Sequence, residues 1–235
     1  MIEITELIRP FDQGVTRPYL CQASDGNKYV VKGATTTQRG LIAEYVCAHL
    51  AKCFGLPFPD FGVAYVDPSL TKYGSSDVQA LGNGELFATQ LIPGLSEVTF
   101  ELLQDKGLTL ARELFLFDYW IGNGDRTLTD KGGNPNLFYQ PQEEKFWVLD
   151  HNLAFDSQLN FELFSETHLG RHAWIQDRGS SADERYRPTL EVCLSQLPAI
   201  LSNIPTEWEP TDDILNQITV SLNRITNDNF WEQLT

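Results

Sequence analysis

Along the first third of the chain, short apolar runs alternate with Gly, Pro, Asn and Asp. Tyr19 to Ala23 and Lys28 to Lys32 read as strands joined by the hairpin turn Ser24-Asp25-Gly26-Asn27, with Gln13 to Pro18 as the turn before them. Leu41, Tyr45, Ala48 and Ala51 then recur at helical spacing, which predicts a helix from Leu41 to Phe54. Gly55 closes it and Pro57 prevents its continuation. Phe61 to Val66 and Glu85 to Ile92 read as two more strands around a polar, Gly- and Ser-containing loop.

Pro93-Gly94 marks a boundary, and the pattern changes after it. Leu108 to Ile121 is an apolar helix carrying Leu110, Leu114, Phe117, Tyr119 and Trp120. Leu137 to Gln140 and Phe146 to Leu149 are short strands separated by a polar Pro-led turn, so they predict a hairpin. Helices follow at roughly Pro188 to Ser195, Leu197 to Ile204 and Asp212 to Leu222, the last capped by Thr211. The expectation is an α+β chain of two lobes: residues 1–93, β-rich with one helix, and residues 94–235, mainly helical and carrying a hairpin.

At 235 residues with 42% hydrophobic side chains, the chain can bury a full core. Its net charge of -15 and the lack of clustered Lys and Arg argue against nucleic acid or an anionic membrane as direct partners. The four cysteines show no Cys-x-x-Cys spacing, so free thiols in a reducing compartment are expected. The amino terminus shows no signal peptide and no window suits a membrane span, which predicts a cytoplasmic protein.

The chemistry concentrates after the long apolar helix. Ile121 to Arg126 place Asp125 in a Gly-rich loop; Asn134-Pro135-Asn136 precedes one hairpin strand, and Asp150 ends the other. A turn centred near Glu143 would set Asn136 opposite Asp150, with Cβ atoms about 5 Å apart. An amide oxygen and a carboxylate at that separation can share Mg²⁺, leaving Asp125 to face a hydroxyl. Upstream, Lys32 ends an apolar strand and Glu44 lies near the start of the next helix. Alone, each is an ordinary surface residue. A turn at Gly14, a strand Lys, a helix Glu, a linker, a loop Asp, an Asn and a strand-end Asp nevertheless follow the order of a bilobal kinase. Within that frame Gly14, Thr16 and Arg17 fall in a phosphate-covering turn, and the strand around Gln90 and Ile92 would offer its main chain to adenine.

Gly14 to Pro18, Tyr29-Val30-Val31-Lys32, Glu44, Phe54 to Pro59, Asp125-Arg126-Thr127, Asn134-Pro135-Asn136-Leu137 and Val148-Leu149-Asp150-His151 together resemble the compact HipA-like kinase family. Asp125-Arg126 and the segment from Asp150 to Phe155 are also similar to type II phosphatidylinositol 4-kinases. The resemblance implies a bilobal kinase-like fold without the extra amino-terminal subdomain of the larger HipA toxins. It implies ATP and Mg²⁺, Lys32 on the phosphates with Glu44 as its partner, Asp125 as catalytic base and Asp150 as metal ligand. A protein Ser or Thr would be the acceptor, and an antitoxin-like regulator a partner. Asn134 stands nine residues after Asp125 and Asn136 eleven, wider than the family's usual spacing. Either Asn therefore qualifies as the second ligand, and the longer loop leaves room for a nucleotide-binding regulator without turnover. A lipid or small-molecule acceptor is the third reading. His151, His168 and His172 read as structural histidines.

Overall fold

The computed structural model describes residues 1–11, 16–176 and 182–234. The chain runs through β1 (Ile2–Pro10), β2 (Tyr19–Ala23), β3 (Lys28–Lys32), α1 (Gln38–Phe54), β4 (Phe61–Val66), α2 (Pro68–Thr71), α3 (Ser76–Leu81) and β5 (Gly84–Gln90). It continues with β6 (Ser96–Glu97), α4 (Phe100–Lys106), α5 (Leu108–Ile121), β7 (Thr127–Thr129), β8 (Gly132–Asn134), β9 (Leu137–Gln140) and β10 (Lys145–Val148). The remainder is helical: α6 (Phe161–Thr167), α7 (Arg171–Gln176), α8 (Ala182–Ser195), α9 (Leu197–Ser202), α10 (Asp212–Asn223) and α11 (Asp228–Glu232), with 3₁₀ turns at Thr206–Trp208 and Arg224–Thr226.

The first five strands close into a barrel in the order β1-β2-β3-β5-β4. β1, which the sequence reading left without an element, closes it by pairing antiparallel with β2 and parallel with β4. Closure removes the exposed strand edges that an open sheet would carry. The barrel interior holds Ile4, Cys21, Tyr29, Val31, Ala64, Val66 and Ala88. Side chains alternate across a strand, so with Tyr29 and Val31 inside, Lys32 projects from the outer face.

The loop expected between Val66 and Glu85 contains α2 and α3, so the amino-terminal part has three helices and not one. Asp67 and Ser75 cap these helices through their side chains. α1 belongs to a different core from the barrel. Every residue from Gly40 to Ala51 except His49 is buried, and α1 shares one apolar cluster with α5, α8, α9 and Trp208. Trp208 also donates its indole N–H to the carbonyl of Glu85 at 2.7 Å, while the Glu207 carboxylate accepts the Glu85 N–H at 2.8 Å. The carboxy-terminal half thus clasps both α1 and the barrel. α8 begins before Pro188 and carries it internally, at the cost of one helical hydrogen bond.

Candidate active site

Lys32 reaches from the end of β3 to the α1 carboxylate of Glu44, and its Nζ also lies 2.9 Å from Oδ1 of Asp150. One ammonium is therefore shared by two carboxylates. Glu44 is sealed, with 1% of its side chain exposed, whereas Asp150 keeps 34%. Burial alone would lower the Lys32 pKa, but the two carboxylates outweigh it and hold the amine charged. Asp150 is likewise held below the usual carboxylate range, because Lys32 outweighs its own desolvation. Glu44 is pushed upward, since burial and the Asp150 charge together exceed the relief from Lys32. With Glu44 ionised, the pair with one cation leaves the cleft with surplus negative charge.

The hairpin forms, but its register differs from expectation by one residue. Gln140 faces Lys145 and Leu137 faces Val148, so Asn136 comes opposite Leu149 and not Asp150. The Leu149 N–H donates to the Asn136 carbonyl at 3.1 Å. The tight turn at residues 141–144, with Glu144 at φ 49°, sets that register. Asn136 and Asp150 both leave the ladder in left-handed backbone, at φ 42° and 61°. Such conformations are uncommon for non-Gly residues, though Asn and Asp adopt them most readily.

Both asparagines converge on Asp125. Nδ2 of Asn134 lies 2.8 Å, and Nδ2 of Asn136 3.0 Å, from Oδ2 of Asp125. An ionised carboxylate only accepts, so each amide must turn its N–H₂ toward it and its oxygen away. The extra residues after Asp125 form the antiparallel pair β7 and β8, in which Thr127 faces Asn134. This small hairpin carries the insertion outward and returns Asn134 to Asp125. The amide oxygens of Asn134 and Asn136, with the Asp150 carboxylate, are hard oxygen donors of the kind Mg²⁺ takes alongside phosphate and water. Among the described residues, no group of three or more His, Cys, Asp or Glu side chains is placed to hold a metal ion.

What holds these segments is a residue that the sequence reading passed over. Arg126 is fully buried, and its Nε donates to Oδ2 of Asp118 at 2.7 Å. Its Nη1 donates to the carbonyls of Pro135, Asn136 and Leu149, and its Nη2 to that of Asp150. One guanidinium thus sets the Asn and Asp segments side by side. Asp118 also accepts from Nδ2 of Asn123 and Nε2 of His168, both at 2.9 Å. His168 accepts the Gly170 N–H at Nδ1, which leaves the ring proton on Nε2. Nη2 of Arg126 faces Nε2 of His151 at 3.0 Å, and Arg only donates, so His151 is neutral with its proton on Nδ1. Burial, then the Arg126 charge, lowers the His151 pKa to about 3. The Asp118 carboxyl sits well below the ordinary range despite burial, because Arg126 and His168 hold it ionised. The sequence signal was a lone carboxylate within Phe115-Leu116-Phe117-Asp118-Tyr119-Trp120, where an unpaired charge could not persist.

The other expected residues sit around this centre. Gly14 lies outside the described residues. The Thr16 carbonyl accepts from the Thr35 hydroxyl, and Arg17, at φ 40°, has its guanidinium 3.5 Å from the Asp77 carboxylate. Gln90 ends β5 opposite Tyr29 and donates its N–H to Asp60, while Ile92 lies past the strand end. His151 and His168 are buried within the Arg126 network, and His172 packs edge-on to Phe100.

A kinase-like fold also emerges from solved structures. The Helicobacter pylori proinflammatory kinase CtkA superposes with a TM-score of 0.55 at 11% identity, covering 100% of this chain and 96% of that one. A Golgi casein kinase gives 0.52 at 12%, covering 99% and 72%, and the same kinase with Mn and ADP bound gives 0.50 at 12%, covering 99% and 74%. No curated protein matches the chain in sequence. A family model described as HipA-like kinase matches residues 4–234, nearly the whole chain, so the protein belongs to the HipA-like kinase family.

Proposed function

We propose that the protein transfers the γ-phosphoryl group of ATP to a hydroxyl, with Mg²⁺ as the resident metal and a Ser or Thr of a protein as acceptor. The observation that carries this reading is the junction of Lys32 with both Glu44 and Asp150, beside an Asp125 carboxylate turned by two asparagine amides. Lys32 neutralises phosphate oxygens and is kept in place by Glu44. Asp150 and the amide oxygens of Asn134 and Asn136 would hold Mg²⁺, which spreads the charge of the transferring group. Asp125 orients the acceptor hydroxyl and takes its proton as the new O–P bond forms and the bond to ADP breaks. Most of the acceleration comes from positioning and charge stabilisation.

The outward β7 and β8 hairpin favours this over a regulator without turnover, since the insertion leaves Asn134 on Asp125. Incubation with labelled ATP and Mg²⁺ should label the protein itself or an added protein acceptor. Asp125→Ala and Asp150→Ala should each cut the rate by about 10²-fold or more. Undiminished transfer in both would sink the assignment. No helix among the described residues is long and apolar enough to cross a membrane.

A further inference from the structure

A cavity of about 590 Å³ opens beside the Asp125 loop, between that loop, β7, the stretch after Asp150 and α6. Asp125 itself lines it, together with Asp156, Leu153, Leu159, Leu163 and Phe164. Two features set it apart from an ordinary surface hollow. Leu153 and Leu163 stand at its edge with 58% and 61% of their surface exposed, although nearby Phe164 is buried. Among the described residues, its walls carry two carboxylates, Asp125 and Asp156, and no Lys, Arg or His. The apolar floor and rim attract a hydrocarbon side chain, and the carboxylates, in a chain of net charge -15, attract cations and repel acidic groups.

The geometry points to this cavity as the docking site for the acceptor: an exposed protein segment whose Ser or Thr is flanked by an apolar residue and by Lys or Arg. The inference rests on the phosphotransfer reading, because the acceptor hydroxyl must face Asp125. It goes further in naming what the segment carries. The exposed leucines suit a chain that runs on across the surface, where an enclosed small molecule would leave them wet. The apolar residue covers Leu153, Leu159 and Leu163, and the basic residue lies toward Asp156. An anionic lipid headgroup meets repulsion from the same carboxylates.

Three short fluorescein-labelled Ser peptides test this by anisotropy, without nucleotide: one with Leu beside Ser and flanking Lys, one with Gly for Leu, and one with Glu for Lys. The first should bind about tenfold tighter than either other. Leu163→Asp should abolish that advantage, and Asp156→Asn, which still caps the Gln158 N–H, should reduce it about threefold. Val220→Asp, at an equally exposed site on α10, should change nothing. Equal binding of the three peptides, or tighter Leu163-dependent binding to phosphatidylinositol vesicles, would overturn the proposal. Transfer from Mg-ATP, measured in parallel, separates the two readings. Peptide preference without transfer supports the docking site and defeats phosphotransfer, whereas transfer without preference overturns the docking site alone.

Discussion

Lys32 and Arg126 are both cations clasped by carboxylates, and they are built on opposite terms. Arg126 has one carboxylate, Asp118, and neither side chain is exposed. Its remaining donors are spent on backbone carbonyls and His151, so the cluster is balanced in charge and closed to water. Lys32 has two carboxylates, and Asp150 opens to the cleft. Whenever Glu44 is ionised, that cluster is short of one positive charge. A balanced, dry cluster fixes backbone; an unbalanced, half-open one can take a cation and phosphates. The difference separates the part of the site that holds shape from the part that does chemistry.

Removing Arg126 should have the largest effect. Arg126→Met leaves Asp118 buried with only neutral donors and strips the partners from the carbonyls beside Asn136 and Asp150. Breaking a buried pair in this way costs about 3–5 kcal/mol, which denaturant unfolding would register as a large fall in midpoint. Arg126→Lys keeps the charge but lacks the planar fork, so it should recover only part of the loss. A loss under about 1 kcal/mol would show that Asp118 finds water, and the contrast between the clusters would fail.

Acid should reveal the same cluster next. The folded-state pKa of His151 lies near 3, well below the 6.5 of an unperturbed imidazole, and that of His168 is also lowered by burial. A group with a depressed folded pKa contributes stability that is present above its unfolded pKa and is lost as pH falls. His151 alone should then cost about 2 kcal/mol by pH 5, because the unfolded chain takes up the proton and the folded one does not. Unfolding free energies from pH 7 to 5 measure this, and His151→Gln should flatten the slope. A flat wild-type profile would mean that the ring meets solvent.

The two clusters also differed in how far they could be read from sequence. Lys32 at a strand end, Glu44 within α1, Asp125 in a loop and Asp150 just past a strand follow an order with chemical meaning, so spacing and polarity sufficed to single them out. The helices Leu108–Ile121 and Asp212–Asn223 were legible for a related reason: their caps and periodicity are local. Arg126 and Asp118 carry no such sign, because their value lies in distant partners: carbonyls up to 24 residues from Arg126 and His168 at 50 residues from Asp118. β1 escaped because its alternation is weak and its parallel partner β4 is far in sequence. The hairpin register slipped by one because the turn, and not hydrophobic patterning, decides it in so short a pair.

The smallest effect should come from Glu44→Gln, and it tests the comparison most directly. Glu44 is as buried as Asp118, so a rule that buried acids stabilise would predict similar losses for Glu44→Gln and Asp118→Asn. The charge count predicts otherwise. Among the described residues Asp118 is the only carboxylate on Arg126, and its loss unbalances the cluster; Glu44 is the second carboxylate on a Lys32 that Asp150 already satisfies. Glu44 also has a raised folded pKa, so its ionisation costs the folded state increasing amounts as pH rises above the unfolded carboxylate pKa. Gln keeps a hydrogen-bond acceptor for Lys32 and removes that cost. Thermal and denaturant unfolding should therefore place Glu44→Gln within about 1 kcal/mol of wild type at pH 5 and shift the comparison in its favour at pH 8, while Asp118→Asn loses about 3 kcal/mol or more at both. A Glu44→Gln loss that matches Asp118→Asn and grows with pH would mean that Lys32 needs both carboxylates, leaving no surplus charge for a metal.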